Sequence, residues 1–177
     1  MDAENDLPSP DDEGELVPRQ PSVEDLMELC CELNARGARY VVVGGFAIRA
    51  SGYVRETMDI DLLVATDLEN EARVFKSLEI FPDKAVLQLD PGDVAKYTVV
   101  RVADEVLVDL MQSACGIDYA EAAKDVVIRE VQGVPIPFAS PRLLWRMKKP
   151  TNREKDAGDL VFLREWFRQR GEEPPEC

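Results

Sequence analysis

The 177-residue sequence contains no histidine. This absence excludes Ser-His-Asp hydrolases, Cys-His proteases and metalloenzymes whose ion is held by histidine, because each of these needs an imidazole. Any acid–base chemistry must therefore use carboxylate, lysine, tyrosine or thiol groups. The sequence also lacks a run of about 18 apolar residues and a basic-then-apolar amino terminus, so we expect a cytoplasmic protein with no membrane partner.

Cysteine is scarce as well. The four cysteines, Cys30, Cys31, Cys115 and Cys177, show no CxxC spacing. The adjacent pair, Cys30 and Cys31, is poorly placed to form a disulfide with itself. We expect all four to be reduced thiols that mostly contribute to packing.

Positive charge is in the minority, since 21 lysines and arginines face 35 acidic residues for a formal net charge of −14. The acidic excess is concentrated at the two ends, where residues 1–21 combine acids with proline and residues 171–177 carry three glutamates. We predict a disordered acidic tail over residues 1–21, one folded domain over residues 22–170 and a flexible acidic tail over residues 171–177. The folded domain is then only mildly acidic, which permits an anionic substrate.

Hydrophobic periodicity predicts an alternation of helices and strands. The predicted strands cover residues 40–43, 59–64, 96–102, 105–111, 126–131 and 134–138, and the predicted helices cover residues 22–37, 46–51, 67–78, 118–124, 141–149 and 153–168. Two hairpins are expected, around Ala103-Asp104 and Gln132-Gly133. The last helix is expected to bury Ala157, Leu160, Val161, Leu163, Trp166 and Phe167. This order predicts an α/β or α+β fold with a mixed sheet of about five to six strands and helices packed on it.

Three aspartates on predicted strands are the candidates for chemistry. Asp59 and Asp61 lie two residues apart on one strand, so both point to the same face, about 6.5 to 7 Å apart at Cα, and can converge on a hard cation. A strand-capping Asp59 and a solvent-facing Asp61 would produce the same pattern. Asp109 lies in the middle of an otherwise apolar strand, where burial is costly unless the carboxylate is paired, hydrogen-bonded or bound to metal.

The glycine pair Gly44-Gly45 follows the apolar strand 40–43 and precedes a predicted helix. Backbone N–H groups without a neighbouring Cβ are well suited to a phosphate at such a turn, although Gly-Gly also forms ordinary tight turns. Together with three aspartates on neighbouring strands, this turn indicates a two-metal phosphoryl-transfer site.

These motifs resemble the nucleotidyltransferase superfamily related to DNA polymerase β. The resemblance rests on the apolar strand with Gly44-Gly45, a spacer of 13 residues, then Asp59-x-Asp61 and a later strand aspartate, Asp109. The Arg-x-Thr-x-Asp-x-Asp pattern of residues 55–61 is most similar to the minimal AbiEii-type nucleotidyltransferases of prokaryotic toxin–antitoxin and abortive-infection systems. The Arg-x-Lys-Asp-x-x-Asp-Leu pattern of residues 153–160 is similar to a signature near the carboxyl end of those proteins.

The resemblance implies transfer of a nucleoside monophosphate from an NTP to a hydroxyl, with release of pyrophosphate. It implies that Asp59, Asp61 and Asp109 hold two Mg²⁺ ions, and that Asp109 helps to deprotonate the attacking hydroxyl. Gly44 and Gly45 would then receive the β and γ phosphates. The acceptor is expected to be an RNA such as tRNA, a protein or a small molecule, and an antitoxin is an expected partner. This mechanism needs no histidine, which agrees with the composition.

Four further residues are candidate nucleotide contacts. Lys148 and Lys155 are chosen from the basic segment 142–155, for which a solvated helical face remains an alternative. Arg55 and Thr57 precede the Asp59 strand, where a core-capping role is equally open. A local ion pair between Lys155 and Asp159 is a further alternative. At the level of function, the alternative is a catalytically inactive nucleotide-binding or protein-interaction module of the same fold.

Overall fold

The computed structural model describes residues 17–177, so residues 1–16 of the predicted acidic tail lie outside the described residues. Both ends of the described chain contact the domain. The Arg19 guanidinium donates to the two oxygens of Asp25 at 2.6 and 2.7 Å and to Glu105 at 3.1 Å. At the other end, Trp145 Nε1 donates to the carbonyl of Pro175 at 3.1 Å.

A mixed sheet is the centre of the fold. The strands in the described part of the chain are β1 Tyr40–Val43, β2 Asp59–Val64, β3 Val99–Ala103, β4 Leu107–Met111, β5 Ser113–Ala114, β6 Ile117–Asp118, β7 Val126–Val131 and β8 Val134–Ala139. Six of them form one sheet in the order β3-β4-β2-β1-β8-β7, and β5 and β6 form a small separate ribbon. Strand β1 is antiparallel to β2 and parallel to β8, and β2 is parallel to β4. The predicted mixed α/β sheet is confirmed.

Helices pack on this sheet in two groups. Their bounds are α1 Val23–Ala35, α2 Gly44–Ala50, α3 Leu68–Leu78, α4 Asp93–Lys96, α5 Tyr119–Ala122, α6 Pro141–Lys148 and α7 Ala157–Gln169. Helix α1 contacts α3 and β8, whereas α6 contacts α2 and α7. The capping box at the start of α1 forms as predicted, since Ser22 accepts from the Asp25 amide and the Asp25 carboxylate accepts from the Ser22 amide.

Several predicted boundaries were wrong, including the start of β4, which is Leu107 rather than residue 105. Helix α2 begins at Gly44, two residues before the prediction, because the chain turns from β1 directly into the helix at this glycine, whose φ is +66°. Strand β3 begins at Val99 because the preceding residues form the short helix α4. Helix α7 begins at Ala157 after a single 3₁₀ turn, and Ala157 and Val161 are exposed rather than buried.

Successive side chains of β2 and β4 point alternately to the two faces of the sheet. Ile60, Leu62, Val108 and Leu110 are fully buried, and each such side chain contributes about 1.5–3 kcal/mol through burial. The residues between them on β2 and β4 point to the opposite face. That face carries the three aspartates.

None of the helices in residues 17–177 is long and apolar enough to cross a lipid bilayer. All four cysteines are free, as predicted. The expectation that they pack in the core is correct only for Cys30, because Cys31, Cys115 and Cys177 are exposed.

Candidate functional site

Asp59, Asp61 and Asp109 lie together on one face of the sheet. The parallel pairing of β2 with β4 places Asp61 directly opposite Asp109, and Asp59 is two residues away on the same side of β2. One carboxylate oxygen from each residue lies within 4.8 Å of those from the other two. The structure therefore brings together the three aspartates that the sequence selects.

Gly44 lies against the centre of this cluster. Val43, the last residue of β1, pairs with Asp61, and the chain turns into α2 at Gly44 with φ of +66°. A Cβ at this position would lie 2.0 Å from Asp61 Oδ2. Both the backbone conformation and the close carboxylate require glycine here.

Gly45 faces the segment that leads into β2. A Cβ on Gly45 would lie 2.4 Å from Thr57 Oγ1 and 3.2 Å from an Arg55 guanidinium nitrogen. Thr57 is buried, and its hydroxyl donates to the carbonyl of Asp59 at 3.0 Å. In the structure Thr57 thus makes an internal contact that holds the start of β2 against the glycine turn.

We expect Gly44→Ala to destabilise the protein by about 1–2 kcal/mol from the left-handed backbone alone, and further because the methyl group displaces the Asp61 carboxylate. Gly133→Ala is the matched control, since Gly133 has φ of +82° and a Cβ added there would have no neighbour within 4 Å. Urea unfolding of both variants measures the difference. Equal destabilisation of the two would contradict a specific contact between position 44 and Asp61.

Arg101 is the principal site residue that the sequence did not indicate. It lies on the edge strand β3, opposite Asp109 in the β3–β4 register. Its Nε donates to Asp109 Oδ1 at 2.8 Å, and its Nη2 donates to Asp109 Oδ2 at 2.9 Å and to Asp59 Oδ2 at 3.3 Å. One guanidinium therefore bridges two of the three aspartates.

Asp61 has no such partner. No ion pair to Asp61 occurs among residues 17–177. Burial, together with the negative charges of Asp59 and Asp109, raises the pKa of Asp61 to about 8, and the nearby charge of Lys148 opposes this rise only in part. The cluster accordingly carries negative charge that Arg101 alone does not balance.

A buried ion-pair network lies behind the glycine turn. The Arg55 guanidinium donates to both carboxylate oxygens of Asp159 at 2.7 and 2.8 Å. The Lys148 ammonium lies 3.1 Å from Asp159 Oδ2 and 3.2 Å from Asp156 Oδ1. Lys148, Asp156 and Asp159 are all buried. Their ion pairs with one another and with Arg55 connect α6 and the start of α7 to the segment before β2.

This network excludes the alternative in which Lys155 pairs with Asp159. Asp159 is paired with Arg55 and Lys148 rather than with Lys155, which is exposed and makes no ion pair within the described part of the chain. Arg55 and Lys148, both predicted nucleotide contacts, are thus held by carboxylates, whereas Lys155 faces solvent.

All of these residues except the buried Asp159 line one cleft of about 350 Å³. Its walls include the glycine turn, the three aspartates, Arg101, Lys148 and Lys155. The cleft is of a size that accommodates a small ligand. Three clustered carboxylates are the ligand type that hard divalent cations prefer, and Arg101 balances the charge of only two of them. The residues present therefore fit Mg²⁺.

The sequence matches no protein-family model and no curated protein. Among solved structures, the chain is similar to an antigenic nucleotidyltransferase-like protein from Paracoccidioides brasiliensis, with a TM-score of 0.50 and 16% identity over 85% of this chain and 79% of that chain. A candidate nucleotidyltransferase from Thermotoga maritima has a TM-score of 0.49 and 18% identity over 83% of this chain and 92% of that chain.

A further similar structure is ANT(2″)-Ia in complex with adenylyl-2″-tobramycin, with a TM-score of 0.45 and 18% identity over 82% of this chain and 96% of that chain. At such identities a structural likeness concerns the fold and not the activity. The likeness to the Paracoccidioides protein shows that this chain has a nucleotidyltransferase-like fold.

Proposed function

We propose that the protein is a Mg²⁺-dependent nucleotidyltransferase, which transfers a nucleoside monophosphate from an NTP to a hydroxyl group and releases pyrophosphate. The observation that carries this proposal is the convergence of Asp59, Asp61 and Asp109 within 4.8 Å beside the Gly44 turn. The nucleotidyltransferase-like fold supports it.

Each residue of the cluster has a role in this proposal. Asp59, Asp61 and Asp109 would hold two Mg²⁺ ions, which supply Lewis-acid stabilisation of the triphosphate charge. The acceptor hydroxyl gives its proton to the Asp109 carboxylate as its oxygen attacks the α-phosphorus, and the bond from that phosphorus to the pyrophosphate oxygen breaks. Exposed Lys155, at the cleft, is placed to attract the anionic triphosphate.

The acceptor we propose is an RNA, such as tRNA, or a protein, with a small molecule as the third class. The resemblance of residues 55–61 and 153–160 to AbiEii-type enzymes supports the macromolecular acceptors, and it supports a toxin–antitoxin setting in which a partner protein restrains the enzyme. The exposed cations Arg153 and Lys155 at the cleft suit an acceptor with a phosphate backbone.

Labelling with each α-³²P NTP tests the proposal. The full chain, Mg²⁺ and one NTP are incubated with total tRNA, with total cell protein or with an aminoglycoside, and both the label on the acceptor and the released pyrophosphate are measured. We expect labelling in one of the three mixtures, and we expect a chelator to abolish it. Pyrophosphate release without any metal dependence would contradict the mechanism.

A second candidate function is a non-catalytic nucleotide-binding module. The observation that favours it is Arg101, which neutralises Asp109 through two hydrogen bonds. A module of this kind would bind an NTP without releasing pyrophosphate in any acceptor mixture. Isothermal titration with a non-hydrolysable NTP, run beside the labelling assay, separates the two functions.

A further inference from the structure

Arg101 contacts the same carboxylate oxygens that a divalent cation would need. Its guanidinium forms a fork with the two oxygens of Asp109, and the same group reaches Asp59. This planar, two-point geometry is the strongest arrangement that arginine makes with a carboxylate. Because Asp109 itself is buried, the guanidinium is the charge that compensates it in the metal-free protein.

A guanidinium and a divalent cation compete for these oxygens. Each carboxylate oxygen has two lone pairs, and the fork occupies one on each oxygen of Asp109, so a metal ion cannot be chelated by both oxygens in that plane while the fork is in place. Two neighbouring positive charges also repel each other. Chelation of a metal ion by Asp109 therefore requires Arg101 to move, and charge repulsion favours the same movement when the ion binds one oxygen. The residue can do so without unfolding the sheet, because β3 is an edge strand and the Arg101 side chain is 53% exposed.

We propose that Arg101 is an internal competitor of the divalent cation: it holds Asp109 in the metal-free protein and leaves that carboxylate when the ion binds. This inference rests on the proposed function, since it assumes that the aspartates hold a metal. Through this competition, Arg101 would set the metal concentration at which the site fills.

Mn²⁺ binding to the full-length chain, without nucleotide, tests the proposal. Free Mn²⁺ is measured by electron paramagnetic resonance in wild type, Arg101→Gln and Arg101→Lys. We expect Arg101→Gln to bind Mn²⁺ about tenfold more tightly, because binding no longer breaks a charged hydrogen-bonded pair. Arg101→Lys, which keeps the charge but cannot form the fork, is expected to show a smaller gain and serves as the second variant if Arg101→Gln does not fold.

Two controls make the result specific. Arg129→Gln removes an exposed arginine from β7, the opposite edge strand, and is expected to leave Mn²⁺ affinity unchanged. In an Asp109→Asn background, Arg101→Gln is expected to give a much smaller gain, because the fork with Asp109 is already lost and only the 3.3 Å contact with Asp59 remains to be relieved.

An Mn²⁺ affinity equal in wild type and both Arg101 variants would overturn this proposal and leave the metal site intact. A full gain that persists in the Asp109→Asn background would also overturn it. Absence of Mn²⁺ binding in every variant would overturn both the competition and the proposed metal-dependent function.

Discussion

Asp109→Asn is expected to lower the rate of nucleotide transfer at least about 10²–10³-fold, a loss comparable to removal of a preorganised electrostatic group from an active site. Asp109 lies opposite Asp61 on the neighbouring parallel strand, so its loss reduces a three-carboxylate cluster to the two on β2. The same substitution removes the proposed acceptor of the hydroxyl proton. Asparagine keeps the size of the side chain, which limits the damage to packing.

The measurement is pyrophosphate release together with labelling of the acceptor mixture that wild type modifies. Asp83→Asn is the matched control, because Asp83 is exposed and does not line the cleft, and it is expected to retain wild-type activity. Circular dichroism of Asp109→Asn checks that the chain is folded. Transfer at the wild-type rate by a folded Asp109→Asn protein would rule out the proposed chemistry.

The same variant separates the two candidate functions. For a non-catalytic module, metal-free NTP binding would persist or improve in Asp109→Asn, since Arg101 would be released from its carboxylate partner and could contact phosphate. For the enzyme, NTP binding in the presence of Mg²⁺ would weaken. Isothermal titration with and without a chelator distinguishes these outcomes.

The position of the aspartates was predictable because it depends on local rules. A run of β-branched residues identifies β1, and the period of two along a strand places Asp59 and Asp61 on one face and Ile60 on the other. The structure has strand bounds identical to those predicted for β1 and β2. Residues whose contacts follow from strand periodicity are thus accessible to sequence reasoning.

Arg101 was missed because its contact depends on hairpin register. A two-residue turn at Ala103-Asp104 would pair Val102 with Glu105, and Asp109 would then lie opposite Thr98. The actual loop is longer: Ala103 pairs with Leu107 and Arg101 pairs with Asp109. The Asp104 side chain stabilises this loop by accepting from the Glu105 amide and from two amides of a distant segment, a contact that local turn rules do not contain.

The buried face of α7 was predicted only in part. Leu163 and Phe167 are buried as predicted, whereas Val161 is exposed and Asp159 is buried. A buried aspartate is unexpected unless its partners are known, and Arg55, its bidentate partner, lies 104 residues earlier in the sequence. Charge pairing over such a distance is a property of the tertiary fold.

Asp61→Asn is expected to stabilise the metal-free protein at alkaline pH while it abolishes metal-dependent activity. The pKa of Asp61 rises from 3.8 to about 8 on folding because of burial and its two carboxylate neighbours. Between these values the native state holds a proton that the unfolded chain has released, so the free energy of unfolding falls as the pH rises toward 8. The free energy of unfolding of Asp61→Asn does not have this pH dependence. Above pH 8 it is expected to exceed that of wild type by on the order of a few kcal/mol.

Urea unfolding of wild type and Asp61→Asn from pH 5 to pH 9, in a chelator, measures this difference, with Asp83→Asn as the control for loss of an exposed carboxylate. We expect the difference in unfolding free energy to widen with pH, and Mg²⁺ to narrow it at pH 9, because an ion bound only to native wild type stabilises that state. A difference in unfolding free energy that does not change with pH would show that ionisation of Asp61 does not destabilise the metal-free protein. A widening difference that Mg²⁺ does not narrow would instead indicate a charged cluster without metal affinity, which is the property expected of the non-catalytic module.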